Sequence, residues 1–226
     1  MEQIIIEIRA AEGGQDSKLL VEDLRDIYLK TARVNNFDYK VVDSRDGFTS
    51  IWLTGRGVTS YFKNESGPHR WLRVPPTEKR GRTQTSIITV ALVDPNDKLK
   101  FSLNRNEVDR QYTRSSGSGG QNVNKVSSCV ILTHRPTGIQ VKCQDTRDQY
   151  KNEEIAWIRL EEKLKSIEEE KWNKKVYQNR LDQVGSGSRS DKKRSYRIKE
   201  DLVIDHETGK QCSFRDFSRG KLELLS

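Results

Sequence analysis

From about Asn152 to Leu181 the chain reads as one long helix whose apolar residues form a single narrow stripe. Trp157, Leu160, Leu164 and Ile167 recur there at helical spacing, and Glu and Lys fill the other faces. Such a helix can bury one face only, so this part of the chain must be a thin layer and not a thick core. Composition agrees. Hydrophobic residues are 33% of the 226, against roughly 45–50% in an average globular chain when Gly is counted there. Charged residues are another 33%.

The rest of the chain places other elements before and after that helix. Ile4 to Arg9 reads as a buried edge strand, Ala10 to Gln15 as a turn, and Asp16 as the N-cap of a helix running to about Val34. Leu19, Leu20, Leu24, Ile27 and Tyr28 give that helix one apolar face. Phe37 to Val42, Thr49 to Leu53 and Thr85 to Val93 read as strands, and Val58 to Phe62 as a short helix or irregular segment. Asp94-Pro95-Asn96-Asp97 looks like a linker. Beyond it lie strands Ser128 to His134 and Ile139 to Gln144, joined by the turn Arg135-Pro136-Thr137-Gly138, and then the long helix. A basic stretch, Arg189 to Lys199, precedes a last strand at Leu202-Val203-Ile204, and Phe214 to Leu225 is expected to return to the first unit. The fold class expected is α+β: an α/β sandwich plus a smaller α+β domain with a long helix. The expected division is residues 1–96, 97–187, a hinge at 188–200, and 201–226 rejoining the first part.

A net charge of +8 and a pI of about 9.3 favour nucleic acid over an acidic small substrate. No run approaches the length of a spanning helix, and the start lacks the basic-then-apolar pattern of a signal peptide. Cys129, Cys143 and Cys212 form no CxxC and lie far in sequence from His69, His134 and His206. They read as reduced thiols of a cytosolic protein, with no metal and no cofactor expected.

The chemistry-bearing motif is Ser115-Ser116-Gly117-Ser118-Gly119-Gly120-Gln121-Asn122-Val123-Asn124-Lys125. Gly119 and Gly120 take every Cβ away from the approach of a ligand, and Gln121 presents a backbone N–H, a side-chain donor and a side-chain acceptor at one point. Arg110, Thr113, Arg114, Ser115, Ser116 and Lys125 surround it with hydroxyls and cations, as phosphate-rich company requires. No nucleophile stands beside a base, the P-loop spacing is absent, and His134 lacks the rest of a hydrolase triad. A second triplet, Gly13-Gly14-Gln15, sits at a helix start, where exposed N–H groups can meet an electronegative base edge; an ordinary strand-to-helix turn explains it equally well.

The segment Arg114 to Lys125 resembles the catalytic loop of bacterial class I peptide chain release factors. So do Thr133-His134-Arg135-Pro136-Thr137-Gly138-Ile139 and Cys143-Gln144-Asp145-Thr146-Arg147-Asp148-Gln149. Upstream, Glu7-Ile8-Arg9-Ala10 with Gly13-Gly14, and Glu65-Ser66-Gly67-Pro68-His69-Arg70, resemble that family's codon-reading domain; Gly187 to Lys192 and Gly220-Lys221-Leu222 continue the likeness. Standard factors carry a further N-terminal helical domain, for which no counterpart is expected here.

The resemblance implies that Gly119, Gly120 and Gln121 enter the ribosomal peptidyl-transferase centre and promote attack of water on the peptidyl-tRNA ester. The Gln121 N–H would serve the oxyanion or the leaving hydroxyl, a donor whose removal raises a barrier by about 3–4 kcal/mol. N-methylation of Gln121 by a glutamine methyltransferase is expected on the same ground. Arg114, Ser115, Ser116 and Lys125, with Arg189, Lys192, Lys193 and Arg194 of the hinge, are the expected RNA contacts. Val74-Pro75-Pro76-Thr77-Glu78 resembles the Pro-x-Thr tripeptide of the factor type that reads UAA and UAG, with Pro75 and Thr77 in the tripeptide. Gly13 and Asp16 match the helix-tip pair for the first base, where the family usually has Glu in place of Asp16, and Thr85 matches a third-base contact. Leu72 stands where UAG readers have a glutamine, and Gln84 where they have a stacking histidine. A leucine leaves guanine's polar edge unserved, so UAA is expected to be favoured over UAG. The expected partners are the ribosome, through its RNA, the mRNA stop codon and peptidyl-tRNA; the expected state is a cytoplasmic monomer that promotes hydrolysis only within the ribosome. The alternative is rescue of stalled ribosomes without a codon, although rescue proteins usually lack a codon domain and carry a basic tail.

Overall fold

The computed structural model describes residues 1–97, 101–116, 125–185, 188, 190 and 192–225. They form two compact units, one of Met1–Lys98 with Val176–Ser226, the other of Leu99–Lys175. The class is α+β.

The first unit is built on β1 (Glu2–Ala10), α1 (Gln15–Val34), β2 (Asp38–Arg45), β3 (Phe48–Gly55), α2 (Val58–Phe62), β4 (Gly67–Arg73) and β5 (Gln84–Val93). Its eight-stranded sheet is completed by β9 (Arg194–Arg197), β10 (Leu202–Asp205) and β11 (Gln211–Ser213), in the order β11-β10-β9-β4-β5-β1-β3-β2. All neighbours are antiparallel except β4 and β9, which run parallel from His69↔Arg194 to Leu72↔Arg197. Ile4, Ile6 and Ile8 alternate toward Leu20, Leu24, Ile27 and Tyr28 of α1, and all seven are buried. β1 is not the edge strand expected. It is paired on both sides, to β3 and to β5; the edges are β11 and β2, and β2 is exposed along its whole length. On the other face of β1, Glu7 is buried because Arg180 covers it, Nη2 donating to Oε1 at 2.7 Å.

The same stretch of chain supplies a backbone substitute. Gln183 accepts from the Leu92 N–H at 2.7 Å and donates to the Leu92 carbonyl at 2.9 Å, taking up peptide groups beyond the end of the β4–β5 ladder. The C-terminal segment, including α4 (Phe214–Ser218), returns to this unit and buries Phe217, Leu222 and Leu225 in the α1 core.

Inside the sheet lies a wholly buried ionic cluster. Arg194 donates to both oxygens of Glu65, at 2.5 and 2.6 Å, and to Asp205 at 2.9 Å, with all three side chains fully enclosed. Tyr28 donates to Glu65 at 2.9 Å. His69 bridges the Glu65 carbonyl, 2.9 Å from Nε2, and the Tyr196 hydroxyl, 2.7 Å from Nδ1. A carbonyl only accepts, so the proton is on Nε2 and Tyr196 donates to Nδ1. Burial and then the Arg194 charge push the imidazole down to about 3, so it is neutral.

The second unit packs the sheet β6 (Val108–Thr113), β7 (Cys129–His134), β8 (Ile139–Cys143), antiparallel in that order, under the first part of α3 (Gln149–Val184). Ala156, Trp157, Leu160 and Leu164 meet Val108, Val130, Leu132 and Cys143. The stripe read in the sequence is this contact, though Ile167 is only half-buried. The cysteines are free thiols, and no group of metal-ligating side chains occurs among the described residues. No helix among them is long and apolar enough to cross a membrane.

Candidate functional site

Two regions carry the residues singled out above, one in each unit. In the first unit the turn from β1 into α1 is pinned to β5: Ala11 N donates to the Ile87 carbonyl at 3.0 Å, and Ile87 N to that of Glu12 at 2.7 Å. Gly13, at φ 139°, lies so close to Ser86 that a Cβ would fall 2.6 Å from its Oγ and 2.9 Å from its Cα. Only glycine fits. Gly14, at φ 61°, is the N-cap of α1. An open recess follows, lined by Gly13, Gly14, Thr83, Gln84 and Thr85, at the positive end of a 20-residue helix.

Asp16 is not the cap. It lies in the first turn of the helix, buried, with both oxygens engaged. Oδ1 accepts from Arg73 Nε at 3.0 Å and Nη2 at 2.8 Å, and Oδ2 from Ser86 Oγ at 2.7 Å. The carboxylate therefore braces α1 against β4 and β5 and is not presented to a ligand. What the helix tip can offer a base is backbone N–H groups.

Leu72 and Thr85 are direct cross-strand partners on β4 and β5, which brings two of the expected codon readers side by side. The connection between those strands carries Pro75, buried, and Thr77, exposed. Its order comes from Glu78, which the sequence reading did not single out. The Glu78 N–H donates to the Pro75 carbonyl at 3.0 Å. Its Oε1 accepts from Arg80 N at 2.8 Å; its Oε2 accepts from Arg82 Nε and Nη2 at 3.1 and 2.9 Å and from Gln84 Nε2 at 2.9 Å. Those donors, the Arg80 amide first and Arg82 next, hold the carboxyl below its ordinary range. Gln84 is thus drawn back onto Glu78.

In the second unit Gly119, Gly120 and Gln121 lie outside the described residues. Around them, Arg114, Ser116 and Lys125 are exposed and Ser115 is half-buried. Arg105 and Arg110 sit over the Trp157 ring, at 5.0 and 5.4 Å from its centroid. His134 hydrogen-bonds Thr137 across its own turn at 2.8 Å, which is a structural contact.

Of the basic stretch, Arg189 lies outside the described residues, Lys192 is exposed, and Lys193 pairs with Glu207 at 2.7 Å. Arg194 requires a correction. It is enclosed between Glu65 and Asp205 and has no surface to offer RNA, so it leaves the set of expected RNA contacts. A basic run hid its burial: Arg194 opens β9, whose first three residues are all buried inside the sheet, and its partner Glu65 lies 129 positions earlier.

Comparison with known proteins gives the chain's family. The PCRF domain model matches residues 1–90 and the RF-1 domain model residues 97–207. Peptide chain release factor 1 of Acetivibrio thermocellus is 38% identical over 212 residues, 91% of this chain and 59% of that protein. The same-named protein of Campylobacter lari is 40% identical over 209 residues, 90% and 59%. Among solved structures, RF2 of Thermus thermophilus matches with a TM-score of 0.56 at 30% identity, over 98% of this chain and 65% of that one. This chain belongs to the class I bacterial peptide release factors. It spans about 59% of the length of these two curated relatives.

Proposed function

We propose that this protein ends translation on the ribosome: its first unit reads a stop codon in the A site, and its second promotes hydrolysis of the peptidyl-tRNA ester through Gly119, Gly120 and Gln121. The observation that carries the reading is the recess at the start of α1, where a helix N-terminus meets Thr83, Gln84 and Thr85, Gln84 being held by the same Glu78 that orders the connection bearing Thr77. Bare N–H groups and short hydroxyls at one place suit the edges of unpaired bases. In the ester cleavage the Gln121 N–H would donate to the developing oxyanion or leaving 3′-oxygen, its side chain would orient the water, and the ribosome would supply the rest of the site. The protein is thus not a stand-alone hydrolase. Its partners would be ribosomal RNA, the mRNA stop codon and peptidyl-tRNA, its setting the cytoplasm, its working form a monomer. A glutamine methyltransferase acting on Gln121 belongs to the same reading.

Codon preference follows from side chains. Thr77 suits adenine, and the apolar Leu72 beside Thr85 suits UAA better than UAG, with UGA poorest. The test is release of formyl-methionine from ribosomal complexes carrying each stop codon, a sense codon, or an empty A site. Release confined to stop codons, UAA first, is the expected result. Equal release with an empty A site assigns the protein to codon-independent rescue instead. No release on any codon, with ribosome binding intact, overturns the proposal.

A further inference from the structure

The β6–β7 ladder stops at Thr113↔Cys129. Beyond that pair, no strand partner among the described residues serves the chain on either side of residues 117–124, yet Ser116 and Ser128 are held. The Ser116 N–H and Oγ donate to Gln144 Oε1 at 3.2 and 3.3 Å, while Gln144 Nε2 donates to the Ser116 carbonyl at 3.3 Å. One side chain thus meets both peptide groups of one residue, as a neighbouring strand would. On the other side, Asn152 Nδ2 donates to the Ser128 carbonyl at 2.7 Å and to the Thr146 carbonyl at 2.9 Å. Its Oδ1 accepts from Thr146 N at 2.8 Å and Thr146 Oγ1 at 3.0 Å, with the Cys143 thiol at 3.8 Å. Every hydrogen-bonding position of that buried amide is used. The two sides are joined to each other by the hydroxyls of Ser115 and Ser128, 2.8 Å apart. Lys142 Nζ adds a contact to Ser116 Oγ at 3.4 Å.

We infer that Gln144 and Asn152 are positioning residues, an amide clamp on the two ends of the loop that carries Gln121. The inference rests on the function proposed above. Only a neutral amide offers a donor and an acceptor at the spacing of a peptide group, so Gln and Asn can replace a missing strand where Glu, Asp or Lys cannot. Ester cleavage by a donor at Gln121 depends on placing that donor within a fraction of an ångström, and a loosely rooted loop places it correctly less of the time. A clamp of this kind acts on the fraction of bound factor that is reactive and leaves binding unaltered.

The experiment uses the full chain and single-round release on UAA complexes across factor concentration, which separates the maximal rate from the half-saturating concentration. Gln144 is exposed, so its variants fold. Gln144→Met and Gln144→Ala lower the maximal rate about tenfold with little change in half-saturation, the scale expected of a small misplacement. Gln144→Glu keeps the acceptor half and falls between them and the parent. A second arm needs no ribosome: hydrogen exchange at the Ser116 amide in the free protein accelerates in Gln144→Met. An unchanged maximal rate in Gln144→Met overturns the inference. So does a loss confined to half-saturation, which makes Gln144 an RNA contact, and so does unchanged exchange at Ser116. If the parent chain itself releases nothing, the proposed function fails, and the exchange arm alone still decides the clamp.

Discussion

Arg73 grips Asp16 through two nitrogens on one carboxylate oxygen, Nε at 3.0 Å and Nη2 at 2.8 Å, and reaches Asp23 with the third at 2.6 Å. The pair is largely buried and joins the first turn of α1 to β4. Removing the acid leaves a guanidinium half-partnered in a closed space, so Asp16→Ala costs about 3 kcal/mol of folding stability. Asp16→Asn keeps one acceptor and costs less. Because the carboxylate faces inward, neither change alters the order of preference among stop codons in the protein that folds. Urea unfolding gives the first quantity, and release on UAA, UAG and UGA the second. A change in codon order with stability intact contradicts the bracing role.

Glu78 gathers the 74–84 connection onto one carboxylate, so it governs a loop and not a core. Glu78→Ala releases Arg82 and Gln84 together and removes the acceptor for the Arg80 amide. The expected result is a several-fold rise in the factor concentration needed for half-maximal release on UAA and a narrower gap between UAA and UGA, with the unfolding midpoint unmoved. Glu78→Gln retains an acceptor and lies between. A variant with parental half-saturation and parental codon ratios shows that Thr77 and Gln84 are placed without it.

How much of this was legible in the sequence depends on how local each cause is. The stripe of α3 and the alternation of β1 are set by residues within a few positions of one another, and both were readable. That β1 is interior was not, because its partners on β3 and β5 lie 39 to 88 positions away and only pairing reveals them. Arg194 reads as surface from its basic neighbours, and its burial depends on Glu65, 129 positions earlier. Asp16 looks like a cap because acids favour helix starts, but the positive φ of Gly14 takes the capping place and turns the acid inward to Arg73 and Ser86. The contacts at Ser116 and Ser128 had a partial signal in the sequence: Gln144 lies in the motif from Cys143 to Gln149, and Asn152 opens the long helix. Nothing local said that they would bond backward to Ser116 and Ser128.

His69 makes stability depend on acid. Its folded pKa, pushed down to about 3 by burial and then by Arg194, is below the ordinary 6.5. Between those values the unfolded chain binds a proton that the folded protein refuses, so the stability present above pH 6.5 is lost as pH falls toward 3. The slope from this one group is about 1.4 kcal/mol per pH unit once pH is well below 6.5. His69→Gln removes the titration and can still donate to the Glu65 carbonyl. Its unfolding free energy is expected to be lower than the parent's at pH 7 and to fall less steeply between pH 6 and about pH 4. Parallel pH profiles for the two proteins contradict a buried neutral imidazole.

Leu72 faces Thr85 across β4 and β5, and its side chain has nothing to give a guanine edge. Leu72→Gln places an amide at that spot on the same strand, half-buried beside the recess and within reach of the base that Thr85 is proposed to meet. An amide can donate to a guanine carbonyl oxygen or accept from its amino group, and it can also serve adenine. Release on UAG is therefore expected to rise toward the UAA value, by about tenfold for one good added hydrogen bond, while UAA changes little. UGA is expected to stay low, because the proposed reading leaves the second position to Thr77. The ratio of release efficiency on UAG to UAA, taken for parent and variant under the same salt, is the measurement. A variant that gains nothing on UAG removes residue 72 from codon discrimination and leaves the preference to Gln84 and Thr85.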